Sequence, residues 1–423
     1  MRRYLLAHWD GGGNTPPVLA VATGLVARGH EVHLVADPAL RASAERCGLG
    51  FTPWREAPHT GNRPARHDPL RDWEDRTPIG LASRLRHGLM YTPAARYADE
   101  TLAALRAHGA DAVLVTDPLY GAMVAAEASG LPWAVLVPNI VTQPTPGRPP
   151  FGLGLMPARG PAGRLRDALL GAAVELTLRP GLPTLNAARV AHGLAPLGAA
   201  QAQGSRATQT IALTSRAFEF PQAVSRGTVY ASAMLDDPPW AAAAPPVPLP
   251  PGEHPLVLVS LSTTEMAQAP LLQRICDAMG TLPVRGLVTT GPAVAPQALR
   301  LAPNTVAVER ASHAALLPQA AAVVTHAGHG TVMRALAAGQ PLLCLPMGRD
   351  QHDTAARVVF HGAGMRLRAS AGAPAIAAAL RTVLDDECMH AAARALGARI
   401  RCEHDETPLW AVLEALTDSS RVG

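Results

Sequence analysis

Short apolar runs alternate with longer segments of helical spacing along the chain, and the whole alternation restarts once. In the first half the strand-like runs are RYLLAH (3–8), EVHLVA (31–36), DAVLVT (111–116), WAVLVP (133–138) and TIALTS (210–215). Helical patterns fall between them, at 17–28, 93–107 and 119–129. Strand-like runs alternating with helices are the mark of a parallel α/β sheet. Pro16 and Pro17 suit the first turn of a helix, where a missing N–H costs nothing, and Gly29-His30 closes that helix. Over 236–254 the text changes to DDPPWAAAAPPVPLPPGEH. Proline at this density fits neither a helix nor a central strand, so the stretch reads as an extended, semi-rigid linker. Strand-like runs then resume at 255–261, 285–290, 305–309, 321–326 and 341–346, with a helix near 268–280. The pattern predicts one Rossmann-like domain over 1–235 and a second beginning at 255. Two such sheets joined by a linker face each other across a cleft, and ligands bind beyond the carboxyl ends of the strands.

Composition narrows the chemistry. At 423 residues, 48% hydrophobic and 17% charged, the chain has the make-up of an ordinary soluble protein of two or three domains. No apolar run is long enough to span a membrane. The apolar run after Met1-Arg2-Arg3 stops at His8, too short for a signal peptide. Cys47, Cys276, Cys344, Cys388 and Cys402 are scattered and odd in number, which argues for a reducing cytoplasm and against a disulfide framework. Lysine is absent, so the Lys+Arg count of 37 is all arginine. That excludes a P-loop NTPase and a pyridoxal enzyme, each of which needs a lysine. A net charge of +4 suits a binder of anionic small molecules. Spread arginines and 4% aromatic residues do not make a nucleic-acid groove.

Three glycines follow the first strand, in AHWDGGGNTPP (7–17). A dinucleotide fingerprint needs glycine at the first, third and sixth places, and after Gly11 and Gly13 the sixth place is Pro16. A nucleophile-elbow serine between glycines is also missing. What remains is a loop, around Gly12 and Gly13, that lets a substrate approach the backbone closely.

The most informative stretch is AAVVTHAGHGTVMRALAAGQPLLCLPMGRDQHDTAARV (321–358). A buried strand runs into His326-Ala327-Gly328-His329-Gly330-Thr331 and then a helix, whose N-terminal N–H groups and dipole make an anion site suited to phosphate. His326 and Thr331 add side-chain donors. A second strand ends at Pro346 and delivers Asp350 and Gln351, a pair suited to vicinal sugar hydroxyls.

This segment resembles the donor-binding signature of the inverting family 1 glycosyltransferases, the UDP-glycosyltransferase-like enzymes of GT-B fold, in their bacterial natural-product branch. His326, Gly328, Thr331, Gly339, Pro341, Pro346, Asp350 and Gln351 match it in order. The resemblance implies an acceptor domain over 1–235, a linker over 236–254 and a nucleotide-sugar domain over 255–403. It also implies a final helix within 404–423 that packs back on the first domain. It assigns the diphosphate to His326, Gly330 and Thr331, with Gly328 and Ser262 in the same donor set, and the sugar hydroxyls to Asp350 and Gln351. VERASHAALLP (308–318) matches the base-packing segment, with Arg310 and His313 against the nucleobase. Two positions depart from the family. Arg334 stands where a glutamate often grips ribose, and Asn14 stands where most members carry the catalytic histidine. The aspartate that orients that histidine is matched by Asp117.

Each assignment has a plainer rival. His326 and His329 could be metal ligands, but an anion cradle explains them better. Asp350 could be a helix N-cap, Asp117-Pro118 a helix start, and Asp10 a solvated loop carboxylate. His8 and His33 read as core histidines, and the arginines at 63, 66, 71 and 76 as part of a solvated loop. The expectation is inverting, metal-independent transfer of a hexose from a UDP- or dTDP-sugar to a small hydrophobic acceptor, without cofactor. Acceptor contacts fall to loops 54–92 and 140–165, the latter containing PFGLGLMP (150–157). With Asn14 unable to accept a proton, Asp117 is the first candidate base and Asp10 its rival, and Asn14 orients the acceptor. The expected protein is a cytoplasmic monomer or homodimer with no nucleic-acid partner and no stable membrane insertion. A nucleotide-sugar epimerase or hydrolase, and a catalytically impaired nucleotide-sugar-binding protein, are the alternatives.

Overall fold

The computed structural model describes residues 1–59, 70, 71, 74, 77–221, 227–236 and 247–418. The arginines at 63, 66 and 76, much of the expected loop at 54–92, and linker positions 237–246 lie outside the described residues.

Every predicted strand forms, and among the described residues all strand pairs are parallel, in one sheet of seven strands and one of six. The first sheet has seven strands: β1 (Arg3–Ala7), β2 (Glu31–Ala36), β3 (Gly50–Pro53), β4 (Ala112–Thr116), β5 (Trp133–Val137), β6 (Gln209–Ala212) and β7 (Thr228–Tyr230), in the order β3-β2-β1-β4-β5-β6-β7. The second has six: β8 (Leu256–Ser260), β9 (Arg285–Thr289), β10 (Thr305–Val308), β11 (Ala320–Thr325), β12 (Leu342–Cys344) and β13 (Gly364–Arg366), in the order β10-β9-β8-β11-β12-β13. The order reverses direction beside β1 and beside β8, so each sheet has its switch point at its first strand. Both sheets are covered by apolar clusters on each face, which explains why their central strands read as unbroken hydrophobic runs. The helices expected at 17–28, 93–107, 119–129 and 268–280 form at Thr15–Ala27, Ala94–His108, Tyr120–Ala128 and Ala269–Met279. Among the described residues no helix is long and apolar enough to cross a membrane.

The helix Leu409–Asp418 inserts Leu409, Leu413 and Leu416 into the cluster formed by Tyr4, Leu6, Val18, Val21 and Leu25 of the first sheet. Full burial of each such leucine is worth about 1.5–3 kcal/mol. Tyr4 Oη donates to the Leu413 carbonyl at 3.0 Å, and the Arg28 guanidinium lies 3.8 Å over the Trp410 ring. Trp410 packs against the helix Thr15–Ala27 at Gly24, where a Cβ would overlap the indole.

Candidate active site

Beyond the carboxyl ends of both sheets lies a cavity of about 2370 Å³, walled by residues of the two domains. A pocket for one drug-sized ligand is about 300–1,000 Å³, so this cavity has room for two substrates at once. Ser262, Arg310, His313, His326, Gly328, Gly330, Thr331, Asp350 and Gln351 line it from the second domain. Gly12, Gly13, Asn14 and Asp117 line it from the first. Asp10 does not.

On the second-domain wall, β11 delivers His326, and the helix His329–Ala337 starts three residues later. Ala327 between them holds φ +68°, the left-handed turn that swings the chain into the helix. Burial drives the His326 imidazole down to about 4, only partly opposed by its hydrogen bond to the Ser260 carbonyl. It is therefore neutral at pH 7. Gly328 leaves its space to His326, whose Cε1 would sit 2.6 Å from a Cβ at 328. Gly330, in contrast, is open above its Cα, with only Arg334 Nη2 within 4 Å of a Cβ position. Arg334 folds back so that its Nε donates to the Gly330 carbonyl at 3.2 Å. His329 turns to the first domain, its Nε2 lying 2.8 Å from Thr214 Oγ1.

Asp350 and Gln351 open the helix Gln351–Phe360. Gln351 Oε1 accepts from the N–H groups of Met347 and Gly348 at 2.8 and 3.1 Å, which fixes the turn carrying Asp350. Burial raises the Asp350 carboxyl, while its own N–H and the side chain of Asn139 hydrogen-bond its charged form. Ser262 Oγ accepts from the Thr264 N–H at 3.1 Å. His313 Nε2 lies 3.3 Å from Thr289 Oγ1, and Arg310 pairs with Glu309 at 3.0 Å.

On the first-domain wall the glycine loop is tied down by its own side chains. Asp10 Oδ1 accepts from the Gly12 N–H at 3.0 Å and from Thr15 Oγ1 at 2.8 Å. Asp37 Oδ2 accepts from the Asp10 N–H at 2.7 Å. Asn14 Oδ1 accepts from the Gly11 N–H at 2.8 Å, and its Nδ2 donates to the Trp9 carbonyl at 3.0 Å. His8 is fully buried below, 3.0 Å from Thr15 Oγ1 and 3.2 Å from Thr116 Oγ1, and burial lowers it to about 4. Asp117 stands at the end of β4 facing the cavity. Its Oδ2 accepts from Thr142 Oγ1 at 2.7 Å, and burial raises its carboxyl against that bond.

Several residues that shape the site carry no sequence signal of their own. Asn139 and Thr142, on the loop after β5, reach Asp350 and Asp117 respectively. Further along that loop the N–H groups of Gly152 and Gly154 donate to Asp353 at 2.7 and 3.2 Å, so the apolar PFGLGLMP segment is fastened to the second domain. Arg148 and Arg357 both pair with buried Glu219, at 2.9 and 2.6 Å. Arg349 Nη1 donates across the cleft to the Gly11 carbonyl at 3.0 Å. Its position next to Asp350 is the one hint the sequence offers.

Comparison with known proteins agrees with this geometry. The family model described as erythromycin biosynthesis protein CIII-like, C-terminal domain, matches residues 274–415. The chain is 32% identical over 415 residues to 4'-demethylrebeccamycin synthase of Lentzea aerocolonigenes, covering 95% of both proteins. It is 27% identical to zeaxanthin glucosyltransferase of Pseudescherichia vulneris, covering 66% of this chain and 67% of that one. In fold it is similar to the glycosyltransferase of kitacinnamycin (TM-score 0.74, 20% identity, 98% of each chain). It is also similar to glycosyltransferase VinC in complex with dTDP (TM-score 0.68, 20% identity, all of each chain). Full-length likeness to the first relative and a shared two-sheet fold place the chain in one group: it belongs to the family 1, UDP-glycosyltransferase-like enzymes of GT-B fold, and is a glycosyltransferase of the bacterial natural-product type.

Proposed function

We propose that the enzyme transfers a hexose, with inversion and without a metal, from a dTDP- or UDP-sugar to a small, largely apolar acceptor. The observation that carries this reading is the facing of two unlike walls across one cavity. One wall holds a helix N-terminus, where negative charge is stabilised by N–H groups and a dipole. The other holds Asp117, a carboxylate whose basicity burial raises, in the direction a general base needs.

In this reading the diphosphate rests on the N-terminus of the helix His329–Ala337, beside neutral His326 and Thr331. The sugar lies against Asp350 and Gln351, with its anomeric carbon toward the glycine loop. Asp117 takes the acceptor proton as the acceptor oxygen attacks, and the C–O bond to diphosphate breaks on the opposite side. Charge developing on the leaving group falls where the helix N–H groups already point, so no cation is required. Leu81, Ala82, Leu85, Met90, Phe151 and Leu153 give the acceptor side an apolar lining. A relative named for zeaxanthin, itself an apolar molecule, supports that acceptor class, and a dTDP complex of a fold neighbour supports testing dTDP-sugars first.

The test is a thermal-shift screen of nucleotide sugars, followed by acceptor panels with mass detection and NMR assignment of the product anomer. We expect one nucleotide class to stabilise the protein and the product anomer to be inverted. Turnover should survive EDTA. Loss on chelation with rescue by Mg²⁺ or Mn²⁺ would refute metal independence, and a retained anomer would refute inversion. Asn14 at the family's histidine position favours one rival, a silent nucleotide-sugar-binding protein, which donor binding with neither transfer nor release of free sugar would establish; release of free sugar without transfer would establish donor hydrolysis instead.

A further inference from the structure

We propose that Arg349 clasps the Gly11–Gly12 loop across the cleft and so sets the loop's position against the sugar-binding residues, which makes Arg349 a positioning residue for transfer. The proposal rests on the glycosyl-transfer reading for its catalytic meaning, but the clasp is a physical arrangement that can be tested apart from it.

The loop is touched from the second domain at two consecutive residues. Arg349 Nη1 donates to the Gly11 carbonyl at 3.0 Å, joining residues 338 apart in sequence. Gly12, at φ +83°, packs on Thr264 of the loop after β8, and a Cβ at 12 would overlap the Thr264 Cγ2 methyl. Glycine is therefore needed there for its backbone angle and for the approach of the opposite domain. Arg349 itself sits at φ +54°, in the left-handed region that non-glycine residues rarely occupy. Such conformations persist where surrounding structure over-determines them, often at functional sites.

The clasp also leads somewhere. Gly11, which receives Arg349 at its carbonyl, gives its N–H to Asn14 Oδ1. Asn14 Nδ2 donates to the Trp9 carbonyl, and Trp9 Nε1 donates to the Asp117 carbonyl at 3.3 Å. A continuous set of hydrogen bonds thus runs from the residue beside Asp350 to the residue proposed as base. Arg349 also lies close enough for its charge to act on both His326 and Asp350. A shift of the loop by about 1 Å is enough to cost on the order of a hundredfold in rate, so a contact that fixes it is worth measuring.

The variants are Arg349→Gln, Arg349→Lys, Gly12→Ala, and Gly12→Ala combined with Thr264→Ser, which keeps the hydroxyl and removes the methyl. Transfer kcat, affinity for free nucleoside diphosphate, and hydrogen exchange of the peptide over 9–16 are measured on each. We expect Arg349→Gln to lower kcat roughly 10- to 100-fold. Nucleotide affinity should stay within about twofold, exchange in 9–16 should speed up, and Arg349→Lys should recover part of the loss. Gly12→Ala should lower kcat, and Thr264→Ser in that background should restore part of it. Nucleotide affinity falling in step with kcat would overturn the proposal, making Arg349 a diphosphate ligand. Wild-type kcat and exchange in Arg349→Gln would overturn it as well. If the wild-type enzyme neither binds nor uses any nucleotide sugar, the functional reading fails, and the exchange comparison still decides the clasp.

Discussion

Asp10 and Asp117 are both strand-end carboxylates in the first half of the chain, and only their surroundings separate them. Asp10 spends its Oδ1 on Gly12 and Thr15 and stands off the cavity wall, as the organiser of a tight loop. Asp117 lines the cavity with one strong side-chain donor, Thr142. Asp117→Asn should therefore cut turnover by about two to four powers of ten while leaving nucleoside diphosphate affinity intact. Asp10→Asn should instead lower the melting temperature. The pH dependence follows from the same residue. A general base works only when deprotonated, and burial raises the Asp117 carboxyl, so kcat/KM should fall as pH drops through that raised value. An acid limb that persists unchanged in Asp117→Asn would assign it to another group. In the sequence only the match to the family's dyad position put Asp117 ahead of Asp10, because spacing records where a strand ends and not which oxygen the next turn consumes.

At the scale of elements, the helix Gln351–Phe360 does two tasks. Its start presents Asp350 and Gln351 to the cavity, and its body carries Asp353 and Arg357, which hold the loop after β5 and Glu219. The proposed sugar site and the loop after β5 thus share one support. Burial raises Asp353 from 3.8 to about 6, against the pull of Arg357 and the N–H groups of Gly152 and Gly154. Between those two values the folded state binds more protons than the unfolded chain. Stability from this group is therefore full below about pH 4 and is lost as pH rises through about 6, with a slope of up to about 1.4 kcal/mol per pH unit. In denaturant titrations from pH 4 to 7, the unfolding free energy of wild type minus that of Asp353→Asn should fall with that slope as pH rises to about 6 and then level off. The elements themselves were legible wherever an apolar run was long. β3, β7 and β13 were not, and all three are sheet edges of three or four residues, paired on one side only. GFTP, TVY and GMR carry too little apolar pattern to be read locally; their neighbours in the sheet make them strands. The turn from β11 into the helix His329–Ala337 was readable because its residues are contiguous. Arg349–Gly11, Asn139–Asp350 and Glu219–Arg357 were not, since each joins residues that only the closed cleft brings together.

For the molecule as a whole, the chain connects the two domains twice: once through the linker that ends at residue 254, and again where helix Glu387–Asp405 hands over to helix Leu409–Asp418. A cut at an engineered protease site at Gly252-Glu253, where the chain is exposed, should leave the two pieces together through native size-exclusion chromatography. The second piece keeps Leu409, Leu413 and Leu416 in the core of the first. Separation of the pieces under native conditions would contradict that. The same helix also bears on how the protein is made. Synthesis runs from the N-terminus, and domains tend to fold as units as they emerge. Here the apolar face formed by Val18, Val21 and Leu25 has no complete cover until residues 409–418 leave the ribosome. The domain that is begun first is the one that is finished last, and for most of translation it is an intermediate with an open seam.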